Sequence, residues 1–450
     1  MRDRAFASKT PKTLNFTHLT IAMATTSCLQ SLRLRARAAC SKRFLSSNRT
    51  IQEHESIFVT QSVHKNKKWS LTKPLRHGDS VKVGYGARIA ASEIIGKRFL
   101  DVVKDSAGRD VMLQEPTLSG YITNSERLAT PIYPHDCNTM VSLMDINLSR
   151  PGEDGALDDT EPFEIFEAGT GMGSLTMHIS RAIHAANPAL PPSLREALCA
   201  TSRTRRSSTL LQPDLEPEQA VEFENYRRQR RAILHTIDRK TSHSNNAYKV
   251  VRNFSRALYL ANIDFHQGSI SEFIEARMEQ NGGKPFLSRA ILDLPSAEQF
   301  AEPVVRALHR NATILLFCPS ISQVAEFDNW RRTTGMRMTI LRVIELPNST
   351  FSGGEFDGSG GKEWSVGTSL VENEDGSTKV VQRMRPKVGD RIAGGGFVAV
   401  FRRMQDMDVD ADSEASTASD QDATSVDAGS EVEVLEDTPE TPDSVENKTQ

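Results

Sequence analysis

Apolar and polar positions change period several times along this chain, and each change marks an element. Phe163, Ile165 and Phe166 form a short apolar run that leads into Gly169-Thr-Gly-Met-Gly173. Leu175, Ile179 and Ile183 then recur at helical spacing. Strand, glycine turn and helix in that order predict the first unit of a doubly wound α/β domain. A Cβ at the turn would keep a ligand from the backbone, which is why glycines stand there. Further apolar runs predict the rest of the sheet at 232–238, 263–266, 288–295 and 312–317, with helices over 244–260 and 298–310 between them. Residues 338–345 and 396–402 are expected to close the sheet as an antiparallel hairpin, and the low-complexity run Gly353–Gly361 between them as a loop.

Ahead of this unit the pattern is different. Short β segments at 80–84, 99–103 and 111–114 are separated by turns at Gly78, Gly84, Gly86, Gly96 and Gly108, which predicts a small β domain over 75–125. Ile132-Tyr-Pro-His-Asp136 leads into a helical stretch from Asn138 to Asn147, and the α/β domain is expected over 130–403. Residues 188–231 interrupt it with five prolines and clustered arginines, far more chain than a strand-to-helix connection needs. They are read as an inserted, partly helical surface loop, whose arginines are either solvated or turned to RNA phosphates.

The two ends change the meaning of the composition. Residues 1–50 carry ten basic residues against Asp3 alone, with many Ser and Thr, and Lys42-Arg-Phe-Leu-Ser-Ser47 resembles a processing site. This is the signature of a mitochondrial transit peptide, the alternative being a basic arm that grips RNA. From 405 to 450 fifteen acids face Lys448, without an aromatic, which predicts a disordered tail. Setting aside +9 at the front and −14 at the back turns the formal −3 into about +2 for the body, which suits RNA without demanding it. Five cysteines without a CxxC pair point to neither a disulfide scaffold nor a zinc site, so no metal is expected. No apolar run approaches the length of a membrane span.

Three places carry candidate chemistry. Glu167-x-Gly169-x-Gly171-x-Gly173 has the spacing GxGxG after an acid, and no Lys-Ser/Thr follows to hold a triphosphate. The pattern resembles that of class I methyltransferases, which seat S-adenosylmethionine at this turn; the alternative is a tight turn without a ligand. Asp238 ends the second predicted strand, where an acid can accept from both ribose hydroxyls; otherwise it caps the next helix. Asp293-Leu-Pro-Ser296 follows a third strand, and its proline stops helix continuation beside the place where open sheets bind ligands. Here the alternative is an Asp held by local amides.

Together the chain over about 75–403 resembles the tRNA adenine-58 N1-methyltransferases, and more closely their bacterial and mitochondrial branch. The resemblance rests on Leu113–Tyr121, Pro131–Asp136, Glu167–Leu175, Ala290–Ser296 and, loosely, Phe317–Val324, in the family's order. It implies a class I methyltransferase fold, with a mostly parallel seven-stranded sheet and a small N-terminal β domain. Ile132, Glu167, Gly169, Gly171, Met172, Gly173, Ser174 and His243 would line the cofactor, with Asp238 at its ribose. Gln267, Gly268 and Ser269 would meet the adenine edge, and Asp293 would touch both cofactor and target adenine as the catalytic residue. Met172, Ala297, the lack of an acid near Ser269 and Gly389-Asp-Arg391 depart from the family's pattern. The implied partners are tRNA and either a homotetramer or a related non-catalytic subunit, and the expected location is the mitochondrial matrix. The alternatives are a class I methyltransferase acting on another RNA base or a protein, and a non-catalytic RNA-binding partner.

Overall fold

The computed structural model describes residues 49–63, 66–153, 161–351, 364–373, 376–386 and 391–405. The expected transit peptide up to residue 48, the acidic tail beyond 405 and the loop Gly353–Gly361 lie outside the described residues.

The chain first builds a small β region. Strands β1 (Phe58–Val63), β2 (Asn66–Leu71), β5 (Val102–Lys104) and β6 (Asp110–Gln114) form a sheet in the order β2-β1-β6-β5, and β3 (Ser80–Lys82) pairs with β4 (Arg88–Ala90) beside it. Ile51, Ile57, Val59, Leu75, Val111 and Leu113 fill its core. The region therefore begins near residue 49 rather than at 75, because residues 58–63 form an inner strand, paired with β2 on one side and β6 on the other. Arg49 helps close it through ion pairs with Glu55 and Glu115. Thr117 caps the helix Leu118–Asn124 by accepting from the Gly120 N–H, and Pro134 opens the helix Pro134–Met144 at a position that needs no N–H donor.

The main sheet has nine strands rather than seven. β7 (Phe163–Ala168), β10 (Ala232–Asp238), β11 (Ile263–Gln267), β12 (Leu287–Leu292) and β13 (Leu308–Cys318) are mutually parallel, in the spatial order β13-β12-β7-β10-β11. On one side β17 (Arg391–Arg403) runs antiparallel to β13 and to β14 (Met338–Phe351), which is the expected closing hairpin. The two extra strands come from the insertion. It folds as helix Pro192–Ala200, hairpin β8 (Thr204–Ser207) and β9 (Leu210–Pro213), and helix Pro217–Arg228, and β9 adds to the free edge of β11. The residues expected to form a surface loop extend the sheet instead. A further hairpin, β15 (Trp364–Glu372) with β16 (Thr378–Pro386), stands apart from it.

Alternation along the parallel strands sends side chains to two cores. Ile165, Leu234 and Phe265 join Leu175, Met177 and Val251 on one face, whereas Phe166, Ile237 and Leu292 meet Phe273, Ala301 and Phe327 on the other. Each fully buried side chain of this kind contributes roughly 1.5–3 kcal/mol before entropy is charged against it. The chain goes from β7 to β10 and β11 on one side, and to β12 and β13 on the other. A topological switch point therefore lies at the carboxyl ends of β7 and its neighbours.

Candidate functional site

The glycine turn after β7 is shaped by its neighbours. Gly169 has φ +99°, and a Cβ there would lie 2.2 Å from the Asp293 carbonyl oxygen, so only glycine lets β12's end close on the turn. The Asp293 N–H donates to the Ala168 carbonyl at 2.9 Å. Gly173 (φ +83°) opens the helix Ser174–Ile183, and a Cβ would meet that of Ala247 at 3.1 Å. Ser174 Oγ donates to the Ile132 carbonyl at 2.5 Å, which ties the Ile132–Asp136 segment to the turn.

Asp238 ends β10 beside the turn. Its Oδ2 accepts from the Gly171 N–H at 3.1 Å and lies 3.2 Å from His243 Nδ1, and its Oδ1 accepts from the Lys240 N–H at 2.8 Å. Gln267, at the end of β11, is level with Asp238, and the Gly268 N–H donates to the Asp238 carbonyl at 3.3 Å. Ser269 caps the helix Ile270–Gln280. Asp293 is half-buried at the end of β12, and its carboxylate has no hydrogen-bond partner among the described residues. Burial, with Asp238 adding to it, pushes the Asp293 carboxyl up to about 7.

The strand tips thus bring together Gly169–Gly173, Asp238, His243, Gln267–Ser269 and Asp293. Four of the expected cofactor residues have buried side chains: Ile132 and Ser174, joined to each other as above, and Glu167 and Met172. Glu167 is 1% exposed, takes a 2.7 Å hydrogen bond from Thr176 Oγ1, and is pushed up to about 8 by burial. Met172 is 2% exposed and packs in the core, so only its backbone belongs to the turn. Glu167 and Met172 shape the crevice from behind.

Asp136 belongs to this neighbourhood too, although its sequence segment suggests no role for it. It is buried, accepts from the Gly395 N–H of β17, and keeps Oδ1 without a hydrogen-bond partner. Burial pushes it up to about 6, against a smaller pull from His135. A carboxylate at the third helical position after a proline is a legible signal, since it suits a helix N-terminus.

The insertion also reaches this end of the sheet. The Thr209 carbonyl, in the turn between β8 and β9, accepts from the Gln267 N–H at 2.9 Å, and Arg206 bonds to the Gln267 side chain. Its arginines divide: Arg203 and Arg205 are exposed, whereas Arg227 and Arg230 turn inward to Asp264. The second pair is therefore not available to RNA.

These residues fit a nucleoside ligand. A carboxylate offers about four lone-pair sites, and three of them on Asp238 already have partners. A vicinal diol would need the remaining site and the one His243 now occupies. The Asp293 carboxylate, desolvated and without a cation beside it among the described residues, suits a ligand that brings positive charge.

No protein-family model matches the chain. Two curated relatives, tRNA (adenine(58)-N(1))-methyltransferases TrmI from two strains of Thermus thermophilus, are each 23% identical over 265 residues, which is 59% of this chain and 71% of theirs. Among solved structures, a SAM-dependent O-methyltransferase from Thermotoga maritima gives a TM-score of 0.49 at 13% identity, covering 80% of this chain and 96% of that one. The tRNA (m1A58) methyltransferase TrmI from Aquifex aeolicus gives 0.42 at 14% identity, covering 80% and 100%.

Proposed function

We propose that this chain is an S-adenosylmethionine-dependent methyltransferase that modifies N1 of adenine 58 in the T-loop of tRNA. The observation that carries the reading is the adjacency, on neighbouring strand tips, of the Gly171 N–H, the Asp238 carboxylate and the unpartnered Asp293 carboxylate. Similarity to the Thermus tRNA methyltransferases supports the choice of substrate.

Bound S-adenosylmethionine supplies a sulfonium methyl that is already activated for transfer. The work left to the protein is alignment and charge. Asp238 would hold the ribose, with the Gly169–Gly173 backbone beneath the methionine part and Gln267–Ser269 along the adenine edge. Adenine N1 has a free lone pair, so no proton has to be removed before attack. Methylation makes the ring cationic and its exocyclic amine more acidic. Asp293, accepting from that amine, stabilises the charge chiefly as it develops, which lowers the barrier. The base must leave its stack to reach the crevice, at a cost of a few kcal/mol.

The hairpin β15–β16 supports a homo-oligomer, with a related subunit as the other arrangement. Trp364, Val366, Leu370, Val380 and Met384 share one face and are all exposed, and an isolated two-stranded hairpin is marginal in water. The basic, acid-poor leader supports a mitochondrial location. A reporter fused after residue 50 is expected in mitochondria, and a purely cytosolic signal would contradict that address.

The test of the activity is methyl transfer to tRNA transcripts with adenine or guanine at position 58, followed by nucleoside mass spectrometry. 1-Methyladenosine is expected with the first transcript alone. Equal methylation of both would point to another base, and none at all would refute the reading.

A further inference from the structure

A second concavity lies away from the crevice, between the N-terminal β region and the helix Thr241–Asn253. It encloses about 540 Å³. Lys73, Arg76, Lys249 and Arg252 line it, against Asp79 and Glu126. Lys249 is matched by Glu126 at 3.1 Å, which leaves three cations facing one acid. Arg252 meets no carboxylate among the described residues: its guanidinium donates to the Thr201 carbonyl and to Asn253 Oδ1. Burial holds the Arg252 guanidinium below its ordinary value, and Arg76 adds to this. Two like charges turned to one cavity repel each other, an arrangement that an anion between them relieves. Independently, Asn246 lines the same cavity at 6% exposure, and its Nδ2 makes no hydrogen bond. A buried amide donor without a partner is costly, and an acceptor in the cavity would offset that cost.

We propose that this cleft is a phosphate-binding site whose occupant is a phosphodiester of the RNA substrate. The inference rests on the RNA methyltransferase reading and gives that site a second point of attachment. Arginine forks and amide N–H groups match phosphate oxygens in geometry and charge. The occupant follows from position as well as charge. The helix that brings His243 to Asp238 carries Asn246, Lys249 and Arg252 into the cleft. At 1.5 Å per residue the cleft begins within ~10 Å of the crevice, so one RNA strand can serve both.

The experiment is a tRNA-transcript titration without cofactor, at several salt concentrations, with the full chain and two variants. K73A/R76A removes two cations from the cleft, and Asn246→Asp sets a negative charge where the amide stands. Both are expected to weaken RNA binding about three- to tenfold and to lower the salt slope by about one for each phosphate no longer neutralised. Affinity for S-adenosylhomocysteine should stay as in the parent, which also shows that the variants are folded. Parent-like RNA affinity and slope in both variants would overturn the site. If inorganic phosphate raises the melting temperature of the parent but not of K73A/R76A while RNA binding is unchanged, a free anion replaces the phosphodiester and the proposal falls. A parent that binds tRNA through this cleft yet leaves adenine 58 unmodified would refute the activity and not the cleft.

Discussion

The same sheet buries acids in two places and treats them in opposite ways. Near the amino-terminal ends of the strands, Glu164 of β7 meets His235 Nε2 at 2.7 Å and Arg277 at 2.5 Å, and Asp264 of β11 takes two bonds from Arg230 and an ion pair from Arg227 at 3.0 Å. Burial alone would raise both carboxyls. His235 and Arg277 nevertheless hold Glu164 below its ordinary value, and Arg230 with Arg227 holds Asp264 well below. At the strand tips Asp293, Glu167 and Asp136 are enclosed with no cation paired to them among the described residues, and burial pushes them up to about 7, 8 and 6. A buried acid whose partner is built in serves the fold. One left without a cation is costly to keep ionised, and such sites are where function concentrates.

The difference can be broken first at its structural side. Arg230→Ala leaves Asp264 with Arg227 and the more distant His235 beside it and is expected to lower stability by about 3–5 kcal/mol in urea denaturation. Cofactor affinity per folded molecule should be unchanged. A loss under about 1 kcal/mol would mean that these buried ion pairs do not hold the fold. At the tips, Asp293→Ala should keep cofactor affinity within about tenfold and slow single-turnover methyl transfer roughly a hundredfold or more. A parent-like rate in that variant removes Asp293 from the mechanism.

The smallest effect is the pH profile. Asp293 works as a carboxylate, and its folded value lies near 7, so kcat/KM should rise with pH through about 7 and level off above it. Asp293→Asn should flatten that limb. The sign for stability is opposite: the folded state holds this proton more tightly than the unfolded chain. Its contribution is complete below about 4 and is lost as pH rises through about 7. A profile that falls as pH rises through 7 would contradict this role.

The crevice was legible in the sequence because its parts are local. Glycines at 169, 171 and 173 follow an apolar run, and Asp238 and Asp293 each end one. The closing hairpin was legible for the same reason: Met338–Glu345 and Gly396–Arg402 are short apolar runs, which pair as β14 and β17. What escaped depends on distant partners. β8 and β9 are four residues each, and β8 is rich in arginine, so they read as loop until β11's edge is there to pair with. That edge also explains Arg227 and Arg230, whose exposed look in sequence gives way to Asp264 some thirty residues on. β1 was missed because Phe58–Val63 shows no alternation and its partner on the inner side, β6, lies far along the chain. Asp136 needed β17's glycines, more than two hundred residues away, to become a buried acid.

The central claim is that a sulfonium nucleoside lies across the strand tips between Gly171 and Asp238 and points toward Asp293. Calorimetric titration with S-adenosylhomocysteine tests it most directly, in the parent and in Asp238→Ala. One site per chain, weakened about tenfold or more when the ribose acceptor is removed, is the result expected when a charged hydrogen-bond acceptor is taken away. Absence of binding in the parent, or equal affinity in the two proteins, would contradict it.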